Sequence, residues 1–206
     1  MKDKKCKVCQ NKFTPIQFAQ AVCGYKCAIE HSRNLKQLKE QREWKQEKAI
    51  LRDKLKTLSD YAKELQKEVN TIVRLIDKGT QCISTLKPLN DKYDAGHFYS
   101  VGSNPALRFN LDNIHAQSVY ANQYLSGDQI NYINGLSEVY GIEYKDYVIS
   151  IKSRYNLLKL TKDDYTEKIT IARGLIKWLK LQNKKYSVKE RIELRKKINN
   201  SLGIYN

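Results

Sequence analysis

The strongest constraint on the fold is a long central stretch that contains neither proline nor glycine. It runs from Ala28 to Lys78 and is rich in Lys, Glu, Gln, Leu and Ala. These residues have high helix propensity, and no breaker interrupts them. The sequence therefore predicts a long helix over residues 31–79, either continuous or as two helices end to end, with Gly79 as its stop.

Apolar residues in the second half of this stretch follow a heptad pattern. They alternate steps of four and three along the chain: Leu51, Leu55, Leu58, Ala62, Leu65, Val69, Ile72 and Ile76. Such spacing is typical of a coiled-coil seam. A seam does not identify its partner. Residues 51–76 are expected either to form a homodimer or to pair with a helix from the C-terminal half of the same chain.

The first 30 residues form a cysteine-rich head. Four of the five cysteines lie there in two close pairs: Cys6, Cys9, Cys23 and Cys27. A segment this short has almost no interior for four thiols, and tetrahedral Zn²⁺ takes four thiolates in this way. Residues 1–30 are therefore predicted to bind zinc. The head either anchors the helix that follows or also contacts DNA through its lysines.

The formal net charge of +16 predicts a polyanionic partner, because each phosphate that Lys or Arg neutralises releases a counterion. A membrane surface is the competing explanation. It is disfavoured because the sequence shows no lipidation signal, no apolar run of about 18 residues and no secretory leader. We expect no membrane association and a cytoplasmic location. An odd number of cysteines also suits a reducing compartment.

Helical periodicity is lost between residues 80 and 126 and returns after them. Within the gap, Tyr93–Tyr99 is predicted to be a strand, Leu107–Phe109 part of its return strand, and residues 113–125 the start of a helix. Helices are then expected at about 127–140, 145–152, 161–180 and 188–201, with capping patterns at Ser126, Thr161 and Ser187. The last 27 residues are a basic tail.

The spacing of His97, Asn113 and Asn122 within the non-helical window is that of an HNH nuclease. In that arrangement a histidine activates water, a divalent ion serves the phosphate and the leaving oxygen, and an asparagine orients the histidine. His97 is the predicted base and Asn113 the residue that orients it. Asn122, Asp94 and His115 are the predicted metal ligands, and such a set favours Mg²⁺ or Mn²⁺ over Zn²⁺. The alternatives for His115 are contact with a phosphate or support of the fold.

Several arginines and lysines are predicted to contact DNA. Arg108 lies between the two halves of the histidine window and is placed to clamp a phosphate. The basic tail supplies the others: Lys184, Lys185, Arg191 and Arg195.

Several blocks occur in the same order as in a known family. They are Tyr93-Asp94-Ala95-Gly96-His97-Phe98, Gly102 to Phe109, Asn113-Ile114-His115 with Gln117, and Asn122 with Leu125-Ser126-Gly127. With the four-cysteine head, they resemble the lambdoid phage NinG (Rap) recombination endonucleases over most of residues 1–140. The resemblance implies an HNH-like metal centre that cleaves branched DNA such as Holliday junctions and D-loops. If a phage encodes the chain, it also implies a location in the host bacterial cytoplasm.

One departure from the resembled family concerns a second zinc site. Family members carry two further CxxC pairs beside the centre. The corresponding segments here begin at Cys82, which keeps one cysteine, and at Ser118, which has none. We expect no zinc there, with packing taking over through Leu86, Leu89, Val119 and Tyr120.

The predicted fold class is mainly α with a small ββα-metal (HNH-like) insert, an N-terminal four-cysteine zinc module and a long coiled-coil-type helix. The predicted domains are 1–30, 31–79, 80–140 and 141–206. The predicted function is a metal-dependent endonuclease for branched or single-stranded DNA. The alternative is a non-catalytic DNA-binding protein that retains the fold.

Overall fold

Two helices occupy the stretch that lacks proline and glycine. Helix α1 spans Tyr25–Lys54 and helix α2 spans Leu58–Ile76. The Thr57 hydroxyl accepts a hydrogen bond from the Asp60 backbone N–H, and the Asp60 carboxylate accepts one from the Thr57 N–H. This reciprocal cap starts a new helix. Of the two arrangements predicted for residues 31–79, the one with two helices is confirmed.

The computed structural model describes residues 2–205, which form two compact units divided after residue 56. The first contains a short antiparallel hairpin, β1 (Lys4–Lys5) with β2 (Lys12–Phe13), followed by α1. No residue of α1 is buried. The predicted boundaries at 79 and 140 do not separate compact units, because α2 packs against elements from the rest of the second unit.

The second unit contains the four helices predicted after residue 126, confirmed as α3 (Gln129–Tyr140), α4 (Ile142–Arg154), α5 (Lys162–Gln182) and α6 (Val188–Leu202). Capping boxes at the starts of α5 and α6 are present. The one predicted at Ser126 is wrong: α3 begins after Asp128, whose backbone is left-handed (φ 45°) and whose side chain makes no cap.

The apolar face of α2 forms the centre of the core. It buries Tyr61, Ala62, Leu65, Val69, Ile72, Val73 and Ile76. Facing it, α5 buries Ile169, Ala172, Ile176 and Leu179. The predicted heptad pattern is therefore satisfied from residue 62 onward by a helix of the same chain. A homodimer could use this face only by displacing α5. Leu51, Leu55 and Leu58, at the start of the pattern, are exposed.

A two-stranded antiparallel hairpin replaces the predicted ββα unit. Strand β3 (Asp94–His97) pairs with β4 (Ile114–Gln117). The prediction of Leu107–Phe109 as the return strand is wrong, because Pro105–Leu107 is a 3₁₀ turn in the loop that joins the strands. The helix predicted over residues 113–125 is a single π-helical turn, Tyr120–Tyr124.

Candidate functional site

The ring of His97 is held by a main-chain atom. His97 ends β3 and is half-buried, and its Nε2 lies 3.0 Å from the carbonyl oxygen of Arg108. A carbonyl only accepts hydrogen bonds, so Nε2 carries the proton and Nδ1 has the lone pair. Burial lowers the pKa of His97 below its ordinary value. The neutral ring is therefore suited to accept a proton through Nδ1.

Asn113 acts on His97 indirectly. Its Oδ1 accepts a bond from the Tyr99 N–H (2.8 Å), and its Nδ2 donates to the carbonyls of Tyr99 (3.0 Å) and Leu107 (3.3 Å). The side chain is completely buried. These bonds hold together the loop between β3 and β4. The Arg108 carbonyl that binds the His97 ring belongs to this loop. The prediction that the Asn113 side chain itself binds the histidine is corrected accordingly.

A carboxylate–amide cluster lies at the other end of β3. Oδ2 of Asp94 accepts bonds from Nδ2 of Asn122 (2.9 Å) and Nε2 of Gln123 (2.8 Å). A divalent ion would need the amide oxygens to face inward, which a half-turn of each amide group provides. With only one carboxylate, such an ion would keep waters and take phosphate oxygens as further ligands. The sequence reasoning missed Gln123.

The structure does not bring His97 and Asp94 together into a metal-binding group. Positions 94 and 97 are an odd number of residues apart, so their side chains leave the strand on opposite faces. Among the described residues, the N-terminal cysteines form the only group of three or more His, Cys, Asp or Glu side chains whose ligand atoms converge. The His97 ring bonds to the Arg108 carbonyl, Asn113 bonds to main-chain atoms, and Asn122 bonds to Asp94.

His115 is a core residue, and the metal-ligand role predicted for it is corrected. It is 1% exposed, with Nδ1 lying 3.0 Å from the Tyr132 hydroxyl and Nε2 3.4 Å from the Tyr144 hydroxyl. Tyr132 donates its own proton to the Gly96 carbonyl, so Nδ1 of His115 must be the donor in their bond. Neither ring nitrogen faces a space where an ion could bind.

Burial lowers the pKa of His115 well below 6.5, with Arg195 and Arg191 adding to the effect, and this predicts acid sensitivity. Below pH 6.5 the unfolded chain takes up a proton at this position and the folded chain does not. The free energy of unfolding should then fall by up to ~1.4 kcal/mol per pH unit through this group. Urea titrations between pH 7.5 and 5 measure the slope.

Replacing His115 by Gln isolates this contribution from those of other titrating groups. Asp112, for example, is a buried carboxyl whose pKa burial raises, and it changes stability in the opposite direction. Below pH 6.5, the unfolding free energy of wild type should depend on pH more steeply than that of His115→Gln. The difference between the two slopes should correspond to about one proton. Equal slopes for the two proteins would contradict a neutral, buried His115.

The predicted DNA-contacting side chains divide into exposed and buried groups. Arg108 is half-buried and donates through Nε to Oε1 of Gln66 (3.2 Å), while Lys184 and Lys185 are exposed. Arg195 and Arg191 are only 0% and 6% exposed. Both face Asp77, with nitrogen–oxygen distances of 2.7 and 3.8 Å. Their predicted contact with DNA is corrected, because a buried guanidinium cannot reach a phosphate.

The four N-terminal cysteines fit a tetrahedral metal. Their Sγ atoms all lie within 4.8 Å of one another, with Cys9–Cys23 at 3.5 Å and Cys23–Cys27 at 3.7 Å. Zn–S bonds of ~2.3 Å in a tetrahedron separate sulfurs by about 3.8 Å. Burial acts to raise the pKa of Cys6, but backbone N–H groups outweigh it and lower the pKa to about 6. The cluster can hold zinc.

Hydrogen bonds connect the segments where the resembled family has two further CxxC pairs. Sγ of Cys82 accepts from the backbone N–H groups of Ser118 (3.2 Å) and Thr85 (3.5 Å). Oγ of Ser118 in turn accepts from the Ala121 N–H (3.2 Å). The expected packing is only partial, because Leu86 and Tyr120 are exposed.

Comparisons with known proteins identify the family of the chain. The sequence profile described as "Bacteriophage Lambda NinG protein" matches residues 1–198. The chain belongs to the NinG family. "Protein ninG" of Enterobacteria phage H19B is 31% identical over 172 residues, covering 74% of this chain and 83% of that protein. "Protein ninG" of Escherichia phage lambda is 34% identical over 119 residues, which is 56% of this chain and 58% of that protein.

No solved structure matches this NinG-family chain. In the part of the chain that the structure describes, we find no helix whose length and apolar character would let it cross a bilayer.

Proposed function

We propose that this NinG-family chain is a metal-dependent DNA endonuclease that acts on branched DNA in phage recombination. The observation that carries the proposal is the geometry of His97. A main-chain carbonyl fixes its Nε2, burial keeps the ring neutral, and Nδ1 is the nitrogen left to accept a proton. The net charge of +16 supports a nucleic-acid substrate.

Arg108 contributes to the same site through two different groups. Its carbonyl orients His97, and its half-buried side chain ends in a guanidinium, a group suited to binding a phosphate. The imidazole and this cation are thus fixed to one loop, so a phosphate held by Arg108 would lie near the base. A divalent ion held by Asp94, with amide oxygens of Asn122 and Gln123, would lie on the other face of β3 and neutralise charge on the DNA there.

A second function, DNA binding without cleavage, is favoured by one observation. Asp94 leaves β3 on the face opposite His97, and among the described residues it belongs to no group of three or more converging His, Cys, Asp or Glu side chains. In this alternative, exposed basic side chains such as Lys184 and Lys185 bind DNA. The buried His115 and the half-buried His97 then only stabilise the hairpin.

Cleavage of a four-way junction distinguishes the two functions. With Mg²⁺ or Mn²⁺ present, wild type should nick the junction, and His97→Ala should be slower by roughly 10²- to 10⁴-fold, the usual contribution of a general base. Junction affinity should be retained, because the imidazole is proposed to act on water and not to bind DNA. Single-turnover rates and binding anisotropy measure the two quantities.

The matched control is His31→Ala, since His31 lies on α1 in the other compact unit. It should cleave at the wild-type rate. Asp94→Ala should cleave normally only at raised metal concentration. Junction binding by wild type and His97→Ala without cleavage by either, with both metals, would select the DNA-binding alternative.

We further propose that the N-terminal cysteines hold a structural Zn²⁺. The support is the fit of the sulfur positions to a tetrahedron and the near-absence of buried residues around them.

A further inference from the structure

Two exposed tyrosines lie one above the other on the turn that carries Asn122 and Gln123. Tyr120 is 62% exposed and Tyr124 is 75% exposed. Their ring centroids are 6.0 Å apart, and the ring planes differ by 22°. Large aromatic side chains this exposed contribute little to a core. Their near-parallel faces are instead available to a flat ligand.

The two tyrosines and the two amide side chains, Asn122 and Gln123, lie on different sides of this turn. The N–H of Leu125 bonds to the carbonyl of Tyr120 (3.2 Å), the five-residue spacing of a π-helical turn. Side chains four positions apart therefore share one side of the turn, and the amides between them point the other way, to Asp94. Single π turns of this kind frequently occur at functional sites.

The end of the turn is held rigidly. The Gly127 N–H donates to the Ala121 carbonyl (3.0 Å), and Nε2 of the buried Gln117 donates to the Gly127 carbonyl (2.7 Å). Ser126 and Asp128 adopt left-handed conformations (φ 51° and 45°) that are costly for residues with a Cβ. The ring pair is thus presented on a fixed backbone.

We propose that Tyr120 and Tyr124 form a stacking platform for unpaired nucleobases of the DNA substrate. The inference rests on the proposed DNA-binding function and specifies its substrate as DNA with unstacked bases beside the Asp94 cluster. Aromatic rings stack on any base, and the net charge of +16 favours a polyanionic strand over an apolar partner. A platform of this kind distinguishes branch points and single strands from closed duplex.

The experiment measures binding of a mixed-sequence single strand and of closed duplex by anisotropy, using Tyr120→Leu, Tyr124→Leu and the corresponding Phe variants. Each Leu variant should bind the single strand roughly 5- to 150-fold more weakly, and each Phe variant should bind as wild type does. Duplex affinity should not change. The slope of log affinity against log salt should also stay constant, because no phosphate contact is removed. Tyr25→Leu is the matched control, since Tyr25 is 81% exposed in the other unit.

Two results would overturn the platform: single-strand affinity of both Leu variants within about twofold of wild type, or an equal loss for duplex. Its failure and that of the nuclease proposal remain distinguishable. Cleavage that depends on His97, with unchanged single-strand binding by the Leu variants, removes the platform alone. If the Leu variants lose single-strand affinity but the wild-type protein cleaves no DNA, the nuclease proposal alone is removed.

Discussion

Removing zinc should unfold the N-terminal head while helices α2 to α6 stay folded. Structural zinc sites supply about 10–16 kcal/mol of apparent binding free energy, the largest single contribution expected in this molecule. Within residues 2–56, only Cys6 and Pro15 are buried, so no hydrophobic core would replace the lost ion. Hydrogen exchange of the backbone amides, with and without a strong chelator, measures the effect on each unit separately.

Exchange protection should disappear for the amides that bond within the head. The Cys6 N–H donates to the Asn11 carbonyl (2.9 Å) and the Lys7 N–H to the Ala21 carbonyl (3.0 Å). The first turn of α1 should fray as well, because it contains Cys27. Amides of the β3–β4 hairpin should keep their protection, since they belong to the other unit.

Cysteine variants provide the control for this result. Cys9→Ser should lose the bound zinc, measured by native mass spectrometry, whereas Cys82→Ser should keep one zinc per chain. Cys82 is buried in the other unit, where its Sγ accepts hydrogen bonds from the backbone N–H groups of Thr85 and Ser118. Zinc-free protein with a fully protected head, or loss of zinc from the Cys82 variant, would contradict the assignment of the metal to the first four cysteines.

Features encoded by neighbouring residues could be predicted from the sequence. The starts of α5 and α6 depend on a Thr or Ser and an acidic residue three positions later, as at Thr161 with Asp164 and Ser187 with Glu190. Helical periodicity located the four C-terminal helices for the same reason. The cysteine cluster was equally readable, because its spacing alone implies a shared ligand.

Features that depend on distant partners could not be predicted. The return strand pairs at Ile114–Gln117 because Ile114 and Ala116 are buried beside β3, and nothing in Leu107–Phe109 excludes a strand there locally. The sequence singles out Asn113 but does not indicate its partners. Its partners are main-chain atoms of Tyr99 and Leu107, and the carbonyl that holds His97 belongs to Arg108; such atoms occur in every residue and leave no mark on the sequence.

The basic tail shows the same limit. A run of positive charges predicts a solvated or DNA-binding surface, and that expectation remains for Lys184 and Lys185, which are exposed. It fails for Arg195 because Asp77, its partner, lies 118 positions earlier in the chain. Whether Arg195 is buried depends on how α6 packs, and the number of charges in the sequence gives no information about that packing.

Replacing Asp77 by Ala should destabilise the second unit by about 3–5 kcal/mol. The carboxylate is 1% exposed, and its Oδ2 accepts bonds from Arg195 (2.7 Å) and from the Ala116 N–H of β4 (2.9 Å). Without it, the guanidinium of Arg195 would be buried without a counter-charge, a situation that costs more than the ion pair itself contributes. Urea unfolding of a Trp44→Phe background measures the change, because Trp178 then reports on this unit alone.

The position of the ion pair explains why the effect should extend to the candidate site. Besides binding Asp77, the Arg195 guanidinium donates to the carbonyls of Leu111 (3.3 Å) and Ile114 (3.4 Å), which flank Asn113. Helix α6, the end of α2 and strand β4 therefore share one buried charge cluster. Loss of Asp77 should weaken the backbone that fixes the loop around His97.

An exposed arginine with two ion pairs supplies the control. Arg173 lies 2.8 Å from Glu64 and 3.1 Å from Glu68, but its side chain is 53% exposed. Arg173→Ala should cost no more than ~1 kcal/mol, because solvent screens both pairs. The double variant Asp77→Ala/Arg195→Met should recover part of the stability that Asp77→Ala loses, since it removes the more deeply buried of the two guanidiniums that face Asp77. Equal losses for Asp77→Ala and Arg173→Ala, or a double variant less stable than the single one, would show that Arg195 is not held as a buried charge.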